Sequence, residues 1–383
     1  MDYNDEIIST PQEYYMQECF ELAKQGLGRT SPNPIVGAIV LDKNGNPTGK
    51  GYHKKAGEPH AEVIAIKEAG DSAKDGTLIV NLEPCCHVGR TPPCTDLIID
   101  SQIKIVIFSN FDPNPLVNKK GEKILLEKHI KVISQVLEKN GYELNKFYFK
   151  WIKTGLPWIT LKQAQTLDGK VSLNGKGRVL ISGELAVKEV HKLRNYYDAI
   201  LVGANTVLTD NPELTVRNLN DIQGTRNPIR IILDPSLTTK PDANVYKSNS
   251  EVFLVTNTGH PKEKINNYLN PDNKHIKILE LPKSRDKNGK IDLRELFYEL
   301  GKKEIVSVLV EAGPKLASKL ILNNLLDEYV LFISPKLFGD NLAIPGFKKE
   351  SFQNIDNEGK IKEFCLFDYK AIGNDLMVLL RPI

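Results

Sequence analysis

His60-Ala61-Glu62 and Pro84-Cys85-Cys86-His87-Val88-Gly89-Arg90-Thr91-Pro92-Pro93-Cys94, about two dozen residues apart, decide the reading of this chain. Either stretch alone carries little, because a His-x-Glu triplet arises by chance in many chains of this length. In this order they offer one imidazole and several thiols to a single Zn2+ ion. Three protein ligands leave a fourth position open for water, as catalytic zinc sites do. The ion lowers the pKa of that water from ~16 towards ~7. Glu62 stands too close to His60 to be a spare ligand, and a carboxylate there suits proton transfer instead. Cys85 follows Pro84, and the remaining ligand is Cys86, His87 or Cys94. Adjacent Cys85 and Cys86 cannot easily enter one small tetrahedron, which favours Cys94. A closed structural zinc competes with this reading, but it has no use for a glutamate two residues after the ligand histidine.

The surroundings fit a globular enzyme. At 383 residues the chain is long for one core, so two domains are expected. Hydrophobic content is 40% and charged content 26%, both ordinary. A net charge of +3, with Lys and Arg spread along the chain, falls short of a dedicated nucleic-acid binder. A small anionic substrate suits it better than a polymer. Of the five cysteines, Cys85, Cys86 and Cys94 crowd together as in a metal site, whereas Cys19 and Cys365 read as small buried hydrophobes. The acidic start, with Asp2, Asp5 and Glu6, is neither a signal nor a transit peptide. No apolar run approaches the ~18 residues that cross a membrane. A soluble, cytoplasmic protein in a reducing compartment is expected, without membrane or nucleic-acid partners.

Periodicity predicts alternating helices and strands in the first half. Helices are expected over 12–27, 60–69, 94–100 and 122–128, with strands over 35–41, 77–82, 104–109 and 130–136. Ser31-Pro32-Asn33-Pro34 reads as a turn, and Asn44-Gly45 as a hairpin-like turn before a strand that ends at Gly51-Tyr52-His53. Such alternation implies an αβα sandwich around a largely parallel sheet, with both metal stretches near helix N-termini, where the dipole favours thiolates. The join between domains is expected within 141–154, and the domains themselves over 1–146 and 147–383. The second half repeats the alternation: helices over 184–197, 293–300 and 314–324, strands over 158–163, 199–202, 229–233, 251–256, 306–311, 329–333 and 375–380. No Gly-x-Gly-x-x-Gly occurs, so the usual dinucleotide fingerprint is absent. Val310-Glu311-Ala312-Gly313-Pro314-Lys315 is a strand–glycine–helix junction, which suits phosphate binding and plain helix capping equally.

The H-x-E and P-C elements match the signature of zinc deaminases. With Leu82-Glu83-Pro84-Cys85, Gly89-Arg90-Thr91-Pro92-Pro93-Cys94, Asp112-Pro113-Asn114-Pro115, Ser31–Gly37 and Gly51-Tyr52-His53, the first half resembles the bifunctional deaminase/reductase family of riboflavin biosynthesis. The Thr-Pro-Pro-Cys insertion separates it from cytidine, tRNA and cytosine deaminases. The resemblance implies a cytidine-deaminase-like domain that removes an amino group from a diamino ribosylamino pyrimidinone 5′-phosphate. Its metal ligands would be His60, Cys85 and Cys94, with Glu62 catalytic. Asn33, His53 and His87 would line the base and sugar pocket, and Arg90 would meet the phosphate. Cys86 departs from the serine usual in the family.

Leu161-Lys162, Thr166-Leu167-Asp168-Gly169-Lys170, Gly203–Pro212, Leu214-Thr215-Val216-Arg217, Glu311-Ala312-Gly313-Pro314 and Ser334–Gly339 resemble the reductase half of the same family. A domain similar to dihydrofolate reductase is implied, one that uses NADPH to open and reduce the ribose to a ribityl chain. By that resemblance, Lys162 and Asp210 are catalytic, and Arg178, Arg194, Leu214, Arg217 and Glu311 hold the substrate. Ala164, Leu180, Thr206 and Asp210, with Gly313, Pro314, Lys315, Leu316, Ala317, Ser318 and Lys319, would hold the cofactor. Many members carry an aromatic where this chain has Leu180. Two sites sharing an intermediate on one chain imply a homo-oligomer, a dimer or tetramer.

Overall fold

The computed structural model describes residues 8–87, 92–173, 179–219, 225–247, 250–269, 273–283, 291–348 and 362–383. By contact the chain divides into Met1–Leu156 and Pro157–Ile383.

In the first unit the order is α1 (Pro11–Lys24), β1 (Gly37–Leu41), β2 (Pro47–Tyr52), α2 (Ala61–Ala69), β3 (Thr77–Leu82) and α3 (Cys94–Asp100). There follow β4 (Ile105–Asn110), α4 (Lys120–Glu127), β5 (Lys131–Ile133), α5 (Glu138–Leu144) and α6 (Lys146–Thr154). A five-stranded sheet runs β2-β1-β3-β4-β5. The expectation of a largely parallel sheet needs correction. β3, β4 and β5 are parallel, but β1 is antiparallel to both neighbours. The short turn at Asn44-Gly45 allows only a hairpin between β1 and β2.

Side chains alternate across the strands, and so build two cores. Ala38, Val40, Leu78, Val80, Val106 and Phe108 meet α2, α3 and α4 on one face. Ile39, Leu41, Ile79 and Ile107 meet α1 on the other, through Met16, Cys19 and Phe20. That is the αβα sandwich. The stretch expected to be a linker is helical instead, and α6 packs Tyr148 and Phe149 against Leu82.

The second unit opens with β6 (Trp158–Thr166), β7 (Lys170–Ser172), α7 (Glu184–Tyr196), β8 (Ala199–Gly203), α8 (Ala204–Asp210) and β9 (Ile229–Leu233). It continues with β10 (Val252–Asn257), α9 (Lys262–Asn266), β11 (Ile276–Leu281), α10 (Leu293–Lys302), β12 (Ser307–Glu311) and α11 (Pro314–Leu322). β13 (Glu328–Ser334), β14 (Ile344–Pro345), β15 (Phe364–Ile372) and β16 (Asp375–Pro382) complete it. Nine strands form one sheet, β11-β10-β9-β8-β12-β6-β13-β16-β15. The run from β11 to β13 is parallel, and β16 is antiparallel to both of its neighbours. Cys365, expected to be buried, is exposed on the edge strand β15, whereas Cys19 is buried as expected. Among the described residues no helix is long and apolar enough to cross a membrane.

One close approach seats α2. A Cβ on Gly51 would lie 2.5 Å from the Ala61 carbonyl oxygen, and one on Gly49 would lie 2.1 Å from that of Ala65. Only glycine lets the helix come so near the strand. Gly51→Ala is therefore expected to push α2 outward and destabilise the first unit by ~1–3 kcal/mol. Denaturant unfolding followed in that unit measures it, and an unchanged midpoint would contradict the contact.

Candidate active sites

His60 caps α2 in an extended conformation, and Glu62 follows in the first turn with 4% of its surface exposed. Cys85 lies just beyond β3, and Cys94 is the first residue of α3. The two ends of the segment between them meet directly: the Cys94 amide donates to Cys85 Sγ at 3.3 Å, and the Thr95 amide to the Cys85 carbonyl at 3.1 Å. His60 Nδ1 then stands 3.3 Å from Cys94 Sγ and 3.6 Å from Cys85 Sγ. These three ligand atoms all lie within 4.8 Å of one another. Cys86 turns away, its thiol donating to the Leu116 carbonyl at 3.6 Å. Of the three candidates for the remaining ligand, the structure gathers Cys94 with His60 and Cys85.

The three donor groups shift one another strongly. A hydrogen bond to Cys85 outweighs burial and raises the His60 pKa to about 9. The Cys94 hydrogen bond, against burial and with help from His60, lowers Cys85 to about 4. Cys94 is pushed well up by its bond to Cys85 and by burial. One nitrogen and two sulfurs at this spacing are a zinc-type donor set. Burial also raises the Glu62 carboxyl, with the His60 charge opposing.

The expected pocket residues gather beside this trio. His53 Nδ1 lies 3.1 Å from the Pro59 carbonyl, so that nitrogen carries the proton and Nε2 accepts from Asn33 Nδ2 at 3.3 Å. Burial lowers the His53 pKa, helped by the His60 charge, which keeps the ring neutral. Its edge faces His60 at 5.5 Å. His87 is half-buried, with Nδ1 buried and unpartnered. Arg90 falls outside the described residues. Asp112 opens the Asp112-Pro113-Asn114-Pro115 motif, whose spacing alone assigns it no role. It is buried, accepts from the Tyr148 hydroxyl at 3.0 Å, and has its pKa raised by burial to about 6.

In the second unit the expected residues collect at the C-terminal ends of parallel strands, the usual place for ligands in such sheets. Lys162 on β6 is the register partner of Glu311 on β12. Glu311 receives both arms of Arg194, at 2.7 and 2.9 Å, and Arg194 also donates to the Thr215 carbonyl at 3.1 Å. Burial acts to raise the Glu311 carboxyl, but the Arg194 charge and hydrogen bonds, with Lys162 and His191, hold it at about 2. Arg217 donates its amide to His191 Nδ1, while its guanidinium is exposed and pairs with Glu213. Ala164 is two residues from Lys162 on the same face of β6. Thr206 and Asp210 lie on α8, directly after β8, with Asp210 exposed.

Gly313 caps α11, and Pro314 begins it. Gly313 and Lys315 are exposed, and Pro314 and Lys319 are half-buried. The side chains of Leu316, Ala317 and Ser318 point into the core, and Ser318 Oγ accepts from the Lys348 amide at 3.0 Å. Any ligand contact from these three runs through the backbone. Leu214 is likewise buried among Val202, Val207 and Ile232, in a left-handed conformation. Leu180 is 55% exposed, its carbonyl held by Lys336 Nζ at 3.1 Å. Arg178 falls outside the described residues.

Comparison with known proteins agrees with this division. Residues 9–110 match the cytidine and deoxycytidylate deaminase zinc-binding region, and residues 157–378 match the RibD C-terminal domain. The riboflavin biosynthesis protein RibD of Aquifex aeolicus is 40% identical over 368 residues, 96% of this chain and 97% of the relative. That of Escherichia coli is 37% identical over 350 residues, 88% and 92% of the two chains. The crystal structure of Acinetobacter baumannii RibD superposes with a TM-score of 0.85 at 32% identity, covering 97% of this chain and 99% of that one. A deaminase/reductase from Thermotoga maritima gives 0.81 at 34% identity, with the same coverage.

The Glu311–Arg194 pair has a consequence in acid. The folded carboxyl, at about 2, lies below its ordinary value of 4.5. Its stabilisation is therefore complete above pH 4.5 and is lost as pH falls from about 4.5 to about 2. A loss of about 3 kcal/mol across that window is expected from 1.36 kcal/mol per unit. Denaturant titrations of wild type and Glu311→Gln test it, since the variant should lose that part of the acid dependence.

Proposed function

The chain belongs to the RibD family of riboflavin biosynthesis proteins, and from that membership we infer that its two units perform successive steps. The first deaminates 2,5-diamino-6-ribosylamino-4(3H)-pyrimidinone 5′-phosphate. The second reduces the ribose of 5-amino-6-(5-phosphoribosylamino)uracil to the ribityl chain. The cofactors are zinc and NADPH. The observation that carries the reading is the meeting of His60 Nδ1, Cys85 Sγ and Cys94 Sγ within 4.8 Å, beside a buried Glu62.

In the deaminase unit His60, Cys85 and Cys94 would hold the zinc, which supplies Lewis acidity and a water made acidic near neutral pH. Glu62 does the proton work. Its carboxylate takes a proton from the attacking water and hands it to a ring nitrogen. It then carries a proton to the departing amino group, so that C–NH2 and water become C=O and ammonia. Burial of Glu62 keeps this traffic away from bulk water. His53, neutral and fixed by Pro59, orients the base together with Asn33. His87 and Arg90 complete the pocket in this reading.

In the reductase unit bound NADPH supplies the hydride to C1 of the opened sugar. Lys162 sets a positive charge beside the reacting carbon, and Asp210 manages the proton. Arg194, Arg217 and Glu311 hold the phosphate and hydroxyls, joined by Arg178 and the backbone at Leu214. Ala164, Leu180, Thr206 and the run from Gly313 to Lys319 hold the cofactor. The setting we propose is a homo-oligomer, dimer or tetramer, in the reducing cytoplasm, where thiolate ligands stay unoxidised.

A coupled assay on the full chain follows ammonia release and NADPH absorbance. Glu62→Gln should lower ammonia release by ~10²–10⁴-fold, the usual worth of acid–base catalysis, yet still reduce supplied deaminated substrate. Lys162→Ala should do the opposite. Chelation of zinc should mimic Glu62→Gln and be reversed by zinc alone. Absence of ammonia from zinc-loaded wild type would discard the deaminase reading.

A further inference from the structure

Glu83 stands between β3 and the ligand Cys85, and neither zinc nor proton transfer gives it work. It is 3% exposed, and every oxygen of its carboxylate is engaged by backbone. Oε2 accepts from the amides of Asp112 at 3.3 Å and Lys119 at 3.0 Å, and Oε1 accepts from that of Glu122 at 3.2 Å. These three amides bracket one loop. Asp112 opens it, just after β4, and Lys119 closes it as the cap of α4. Lys119 is left-handed and offers no side-chain cap, so Glu83 serves the first turn of α4 from a distant strand. The approach is tight: a Cβ on Gly121 would meet the Pro84 carbonyl at 2.4 Å.

The loop is itself stiff. Asn114 donates its amide to Asp112 Oδ1 at 2.8 Å, its own Oδ1 accepts from the Leu116 amide at 3.0 Å, and its carbonyl accepts from the Val117 amide at 2.8 Å. Tied this way, it moves as one piece or not at all. Its contact with the ligand segment is direct, since the Leu116 carbonyl accepts the Cys86 thiol at 3.6 Å. The Asp112 carboxyl also feels the charges of Cys85 and His87. Whatever fixes the loop fixes the carbonyl on which Cys86 rests, between Cys85 and His87.

We propose that Glu83 is a positioning residue of the deaminase site, holding the Asp112–Lys119 loop as the wall of the substrate pocket through three backbone amides. It touches neither metal nor substrate. The inference rests on the deaminase reading of the first unit. A glutamine at position 83 keeps the size but replaces one accepting oxygen with a donor that faces amide N–H groups. The loop then loses an anchor at one end, while the zinc ligands keep theirs.

The test is Glu83→Gln in the full chain, with substrate titrated against ammonia release. KM for the pyrimidine phosphate should rise about tenfold, equivalent to about 1.4 kcal/mol of binding, with kcat nearly unchanged and zinc retained. Reduction of supplied deaminated substrate should not change. An unaltered KM with zinc retained overturns the proposal, and so does loss of zinc together with kcat, which would mark a general structural role. If the variant does not fold, hydrogen exchange on the wild type decides. The Lys119 amide, which Glu83 alone holds among the described residues, should be protected, and exchange at the free rate overturns the proposal. Wild type that releases no ammonia would defeat the deaminase reading itself, a separate outcome.

Discussion

The first unit depends on how closely α2 lies on β2. His60 and Glu62 are carried by the first turn of that helix, and their height above the sheet is the height of the helix axis. Gly49 and Gly51 lie beneath Ala61 and Ala65, so backbone nearly touches backbone. A side chain at either glycine would lift the helix by roughly its own thickness. The two cysteines gathered with His60 come from two other places, just beyond the end of β3 and at the start of α3, and both elements pack into the same core as α2. Three ligand atoms can meet within 4.8 Å only because these elements share one well-packed layer. The geometry of the metal site is thus a packing result before it is a coordination result.

The second unit solves a different problem, that of gathering cations around one buried carboxylate. Lys162 and Arg194 both approach Glu311, and a lone buried carboxylate between two cations has a clear preference for ionisation. Burying such a pair costs desolvation, and its two-armed geometry is what offsets that cost. One carboxylate facing two cations leaves a positive remainder, which suits a phosphorylated substrate. Arg217 contributes differently. Its backbone is bound to His191 while its guanidinium stays exposed with Glu213, free to exchange that partner for an anion at little expense.

Much of this was legible in the sequence because the decisive residues are chemical rather than conformational. The His-x-Glu and Cys pattern pointed to His60 and Cys85 and favoured Cys94 over Cys86 and His87, the residue that the structure gathers with them, and apolar-rich strands, β3 and β9 among them, fell where expected. The rest was hidden for physical reasons. α6 reads as a linker because its apolar residues are aromatics interleaved with lysines, and only packing shows that Tyr148 and Phe149 are buried. α8 is a polar helix with Val207 alone in the core. β15 is an edge strand that lacks clean alternation and carries a register shift. The hairpin-like turn at Asn44-Gly45 was legible, but its consequence, an antiparallel β1, was lost under the alternation of elements. Glu83 was invisible for another reason: its partners are backbone amides, and no spacing of side chains announces them.

The two departures from the family pattern differ in weight once their surroundings are known. Cys86 is adjacent to a zinc ligand, yet its thiol bonds to the Leu116 carbonyl and its pKa is raised, first by burial and then by the charges of Glu83 and Cys85. A protonated thiol held away from the trio does not compete for the metal, so serine and cysteine are near equivalents there. Leu180 is more exposed, and its carbonyl is held by Lys336. An aromatic at such a rim covers a flat ligand by stacking, whereas leucine covers it by area alone. The sequence change that looked chemically alarming is thus the quieter one. The conservative-looking one changes the shape of an exposed apolar surface.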